Sequence, residues 1–137
     1  MPEARRAAPA TVNTILAFDF GTRRIGLALG TRVGAVSRPL AVVRANPRID
    51  WSAIARAIDD WRPELLVVGL PLDRDGGEQA ATVGARRFAR QLAGRHGLPV
   101  EMIDERYTSV EAESRHPAVA LDAAAAALIA EDWLHSR

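Results

Sequence analysis

The stretch TILAFDFGTRRIGLAL, residues 14–29, decides the fold. Thr14 to Phe20 is a nearly continuous apolar run with a single acid, Asp19, near its end, as in a strand buried on both faces. Gly21-Thr22-Arg23 is a turn, Ile25 to Leu29 reads as a second strand and Gly34 to Val43 as a third. Connections this short join antiparallel neighbours, so the chain opens with a three-stranded meander.

Beyond the meander the hydrophobic period changes. After the turn signal Asn46-Pro47, Trp51, Ile54, Ile58 and Trp61 recur at helical spacing, predicting an amphipathic helix over Ile49 to Trp61 that Pro63 stops. Leu65 to Leu70 is a short buried strand, and Pro71 to Gly77 a polar loop. A second helix is expected from about Glu78 to Arg95, with Ala81, Ala85, Phe88 and Leu92 on one face and Gly97 beyond its end. Val100 to Asp104 reads as a fifth strand, and Thr108-x-x-Glu111 has capping-box spacing for a short helix. The last helix, Leu121 to Trp133, is almost solid alanine and thin enough to lie close on a sheet. Each later helix must cross over between parallel strands, so the fold class is α/β: a five-stranded mixed sheet, three strands antiparallel and two parallel, flanked by helices. In such a sheet the carboxyl ends of the first, fourth and fifth strands lie together, where open α/β sheets bind ligands.

Composition bounds the chemistry. A chain of 137 residues fits one compact domain, taken as residues 13–137, with Met1 to Val12 expected to be a disordered tail. There is no cysteine, so disulfides and thiolate metal sites are excluded. No apolar run approaches the ~20 residues that span a bilayer, and the N-terminus does not resemble a signal peptide, so a soluble cytoplasmic protein without membrane contact is expected. The formal charge is +1, from eighteen basic residues that are all Arg and seventeen acids. Arg forks suit phosphate, although a chain so rich in Ala and Arg reads first as a reflection of genome composition. His96, His116 and His135 stand far apart and read as solvated surface residues, not as metal ligands.

The acids are the informative residues. Aspartate is disfavoured in strands, and an ionised carboxylate there needs a cation or strong donors. Strand alternation puts Ile15, Ala17 and Asp19 on one face and Leu16, Phe18 and Phe20 on the other. Arg23 or Arg24 could pair with Asp19 locally. Asp104 and Glu105 end the fifth strand on opposite faces, so only one can readily join Asp19, and strand geometry alone does not choose. Asp122 opens the last helix, where a helix-capping role is equally natural. Three carboxylates converging on one sheet edge would repel one another unless hard divalent cations neutralise them. Two Mg²⁺ ions about 4 Å apart could then activate water for in-line attack on a phosphodiester.

Four blocks carry a resemblance: Ile15-Leu-Ala-Phe-Asp-Phe-Gly-Thr-Arg-Arg-Ile-Gly-Leu-Ala28, Val67-Val-Gly-Leu-Pro-Leu72 with Asp75-Gly76, Asp104-Glu-Arg-Tyr-Thr-Ser109, and Asp122-Ala-Ala-Ala-Ala126. In this order they resemble the YqgF/RuvX family over nearly the whole chain. The resemblance implies a ribonuclease H-like fold related to Holliday junction resolvases. It further implies a metal-dependent nuclease that trims the 5′ end of precursor 16S rRNA, or alternatively cuts branched DNA. It implies Asp19, Glu105 and Asp122 as catalytic residues and ligands of Mg²⁺ or Mn²⁺. Arg24, Gly69, Pro71, Arg106 and Thr108 match the family's positions near substrate. Implied partners are precursor rRNA or branched DNA and ribosomal precursor particles, with the protein a monomer or weak homodimer. The sequence departs from the family between Glu111 and Asp122, where Ser114-Arg-His-Pro-Ala-Val119 replaces a basic stretch; that change bears on substrate affinity. A fourth acidic ligand could be Asp104, Glu111 or Glu78.

Two other classes compete. Asp19-Phe-Gly-Thr22 is similar to the first phosphate loop of actin-like ATPases and sugar kinases, but those bind nucleotide between two such domains and this chain has room for one. A non-catalytic nucleic-acid or transcription-associated module would instead use the arginines on phosphate and the acids for structure.

Overall fold

The computed structural model describes residues 12–72, 75–105 and 121–136. Strands β1 (Thr14–Phe20), β2 (Arg24–Thr31) and β3 (Val36–Arg44) form the expected meander, with a 3₁₀ turn at Val33–Ala35 between the last two. Helix α1 (Trp51–Trp61), β4 (Leu65–Leu70), α2 (Ala80–His96), β5 (Val100–Asp104) and α3 (Leu121–Ser136) follow. The five strands lie in the order β3-β2-β1-β4-β5. β1 is antiparallel to β2 and parallel to β4, and β4 is parallel to β5, as the element order requires.

The period of two in β1 and β4 divides the core. Leu16, Phe18, Leu66 and Val68 point to the face covered by α1 and α2, where they pack on Ile54, Ala85, Phe88 and Leu92. Ile15, Ala17, Leu65 and Val67 point to the opposite face and pack on Ile129, Ala130 and Trp133 of α3. Phe88 anchors the first layer: its ring meets Phe18 edge-on at 5.6 Å and stacks on Trp51 at 5.6 Å. Truncating a buried aromatic of this kind costs about 3–5 kcal/mol. On the second face α3 presents Ala123 to Ala126, all buried, so the helix end comes down close to β2.

Local chemistry sets the element ends. α1 begins at Trp51, not Ile49, because the Asp50 carboxylate accepts hydrogen bonds from Ser52 Oγ at 2.8 Å and Ala53 N at 3.2 Å. Those bonds, Ser52 first, hold Asp50 below the usual carboxylate range. α1 ends at Trp61 because Arg62, before Pro63, turns left-handed at φ 50°. α2 starts two residues later than expected. There Thr82 Oγ1 accepts from Gln79 N at 3.0 Å and donates to the carbonyl of Pro71.

Two further expectations need correcting. Val12, placed by sequence at the end of the tail, is only 4% exposed and belongs to the α3-side core, because its carbonyl accepts a 2.9 Å bond from Arg32 Nε. His96 is partly buried beside Trp51 at the end of α2 and not a solvated surface residue; burial, aided by Arg95, holds its pKa below normal. Residues 1–11, and the segment holding Arg106, Thr108, Glu111 and His116, lie outside the described residues.

Candidate active site

The sheet register brings the acids together. Asp19 pairs with Gly26 across β1 and β2, and its parity with Ile15 and Ala17 puts its side chain on the α3 face. Asp122, in the first turn of α3, lies over the same spot because Gly26 has no side chain. An added Cβ there would be 1.8 Å from the Asp122 carbonyl oxygen. The half-buried Asp19 carboxyl is raised from 3.8 to about 7, first by desolvation and then by the charge of Asp122.

Parity also chooses between Asp104 and Glu105. Ile103 packs into the α3-side core, so Glu105, two residues on, shares its face while Asp104 points the other way and is exposed. Glu105 continues the β4–β5 pairing by one bond, its N donating to Leu70 O at 3.1 Å. Its side chain lies over Gly69, where an added Cβ would be 3.2 Å from Glu105 Cγ and 2.5 Å from Ile129 Cδ1. Gly69 is therefore buried and makes room for the acid. The Glu105 carboxyl is raised to about 10, chiefly by burial, then by its hydrogen bond to Asp132 and by the charges of Asp132, Asp104 and Asp19.

Asp132 is the acid that sequence reasoning missed. It sits three residues after Ile129, which packs over Gly69, so helical spacing was the only signal that could have placed it beside Glu105. Of the other candidates for a fourth acid, Asp104 is on the opposite face and Glu78 is bound by Arg86 at 2.6 Å, while Glu111 lies outside the described residues.

Of the three expected ligands, one is paired with an arginine. Arg24 Nε donates to Asp122 Oδ2 at 2.8 Å. Among the described residues, the groups that shift Asp19 are its own burial and Asp122, with no guanidinium. The Pro71 carbonyl, just after β4, accepts from Thr82 Oγ1; Arg106 and Thr108 lie outside the described residues.

The donor set is made of hard oxygens, and burial and neighbouring charges penalise the ionised forms of Asp19 and Glu105. Such a set gains by exchanging its protons for a divalent cation, and in that sense it fits Mg²⁺ or Mn²⁺. Among the described residues, however, no three acids are close enough to ring one ion by themselves. Asp19 couples to Asp122 and to Glu105 pairwise, while Asp122 is turned to Arg24.

The chain as a whole is similar to known proteins. A relative from Edwardsiella ictaluri is 45% identical over 134 residues, 90% of this chain and 96% of its own. One from Xanthomonas oryzae pv. oryzae is 47% identical, covering 98% of this chain and 94% of its own. The names of both propose a pre-16S rRNA nuclease. Among solved structures, Thermus thermophilus RuvC in complex with a Holliday junction substrate superposes with a TM-score of 0.57 at 19% identity, covering 91% of this chain and 95% of that one. The fowlpox virus Holliday junction resolvase gives 0.57 at 11% identity, over 90% and 99%. These two confirm the ribonuclease H-like fold. The profile of the family described as RuvX, Holliday junction resolvase, matches residues 13–136, from the residue before β1 to the last turn of α3, and with relatives nearly half identical along their whole length this makes the chain a RuvX family member.

Proposed function

We propose that the protein is a divalent-metal-dependent nuclease that hydrolyses phosphodiester bonds of precursor 16S rRNA, in the cytoplasm, at the 5′ end of the mature sequence. The observation that carries this reading is Asp19: a strand carboxylate raised to about 7 by burial and by the charge of Asp122, with no arginine among the described residues neutralising it. Such a group is costly to the fold and is explained by a task that needs charge.

Asp19, Glu105 and Asp122 would hold Mg²⁺ or Mn²⁺, which supplies activation of water and neutralisation of charge on the phosphate. The protein's own contribution is positioning. Gly26 lets the backbone of α3 seat Asp122 against β2, and Gly69 leaves the space in which Glu105 lies. Arg24 holds Asp122 through one oxygen and carries a positive charge at the rim, where a substrate phosphate must approach. In-line attack by water on phosphorus breaks the P–O bond to the leaving oxygen, which takes up a proton.

Cleavage of branched DNA is a second reading, favoured by the description of the matched family. The two are separated by following precursor 16S processing in cells depleted of the protein and by assaying the purified protein on precursor rRNA and on a four-way junction. Asp19→Asn should lower cleavage by about 10²-fold or more while leaving the fold intact. Full activity in this variant, or in excess chelator, rejects the mechanism.

A further inference from the structure

Beside the acids, on the same face of the sheet, lies a pocket of about 380 Å³ lined by Arg23, Arg24, Val42, Arg44 and Asn46. Its position follows from register. Arg24 is directly opposite Arg44, and Gly26 directly opposite Val42, so Arg24, Arg44 and Val42 share the face on which Gly26 meets Asp122. The backbone around the pocket is tied down: Ala45 N donates to Arg23 O at 2.8 Å, and Asp50 N to Arg44 O at 3.0 Å.

Like charges directly opposite on antiparallel strands repel, so an Arg–Arg pair at this point costs stability. Asp122 offsets only Arg24, and among the described residues neither Arg23 nor Arg44 forms an ion pair. Three arginines thus line one pocket while only one of them is bound by a carboxylate, on a fixed platform with an exposed apolar wall at Val42. Guanidinium forks match phosphate oxygens, and an anion between them converts the repulsion into binding.

We propose that this pocket accepts a backbone phosphate of the nucleic-acid strand next to the one being cleaved, with Arg44 and Arg23 as its principal donors. Arg24 links the two sites, since it touches both the pocket and Asp122. The strand then runs from the acids, past the first turn of α3, onto the β2–β3 edge of the sheet. This inference rests on the nuclease reading and adds to it the side on which the substrate leaves the site.

The test is binding of a fluorescein-labelled RNA hairpin with a single-stranded 5′ extension to the full chain in EDTA, by anisotropy across a range of salt. Arg44→Ala and Arg23→Ala should each weaken binding several-fold and lower the slope of log K against log salt by about 0.7. Arg44→Lys should keep the slope, and Arg87→Ala, on the exposed side of α2, should change neither quantity. The altered side chains are exposed, so no variant should melt below the wild type, and Arg44→Ala, which removes the Arg24–Arg44 repulsion, should melt at or above it. If the wild type cleaves this RNA with Mg²⁺ while both alanine variants bind with the wild-type slope, the pocket assignment is overturned and the nuclease reading stands. If the wild type neither binds nor cleaves it, both fall together. Saturable binding of inorganic phosphate that Arg44→Ala abolishes, with RNA affinity unchanged, assigns the pocket to a free anion and overturns its role for the strand.

Discussion

Gly26→Ala is the sharpest perturbation that the structure defines. An ideal Cβ at this position would lie 1.8 Å from the Asp122 carbonyl oxygen, 2.2 Å from its carbon and 2.8 Å from Ala123 N. These are backbone atoms, so no side chain can rotate away, and the end of α3 must retreat by about 1.5 Å to reach ordinary contact. Overpacking costs about 1–3 kcal/mol where side chains can adjust. Here the upper end applies, about 3 kcal/mol, which for a chain of this length lowers Tm by roughly 10 °C. The retreat carries Asp122 away from Asp19, and a misplacement of an ångström at a reacting centre costs about 10²-fold in rate. Thermal unfolding and cleavage of precursor rRNA, measured on the same preparation, read both effects. Gly94→Ala is the control: nothing lies within 4 Å of its added Cβ, so a helical position gains about 0.5–1 kcal/mol. A Gly26→Ala protein that melts and cleaves like the wild type would refute the claim that the approach of α3 to β2 positions Asp122.

The acids predict a pH dependence whose sign is fixed. Both Asp19 and Glu105 hold their protons to higher pH folded than unfolded, so the native state binds more protons and metal-free stability falls as pH rises. The loss runs from 3.8 to about 7 through Asp19, and from 4.5 towards about 10 through Glu105. Mg²⁺ should therefore raise Tm more at pH 8 than at pH 5, where protons compete for the same oxygens; equal shifts in scanning fluorimetry would contradict this. For the same reason Asp19→Asn should melt above the wild type in EDTA at pH 8, and a lower Tm would show that Asp19 stabilises the fold. Thr82→Val keeps shape but leaves the Pro71 carbonyl and Gln79 N–H without their partner, a loss of about 1–3 kcal/mol by urea unfolding. No change in urea midpoint would mean that water replaces the hydroxyl.

Much of this architecture is legible in the chain itself, because a strand or helix is written in the spacing of side chains over five to fifteen neighbours. β1, β4 and β5 end where the hydrophobic runs end, and the succession of elements leaves little choice about a mixed sheet. Asp19 stood out unaided, as an acid inside an apolar strand. The site depended on longer distances. Arg24 meets Asp122 across 98 residues, and the Arg24–Arg44 pair exists only through the β2–β3 register. Glu105 and Asp104 are equivalent until β5 is aligned with β4 and β1 beneath α3, and only the resemblance anticipated the outcome. Asp132 became visible only once α3 was laid over Gly69. Local periodicity sets which way a side chain points within its own element. Which charges then repel, pair or share an ion depends on where separate elements come to rest, and that is decided by packing the sheet and helices together.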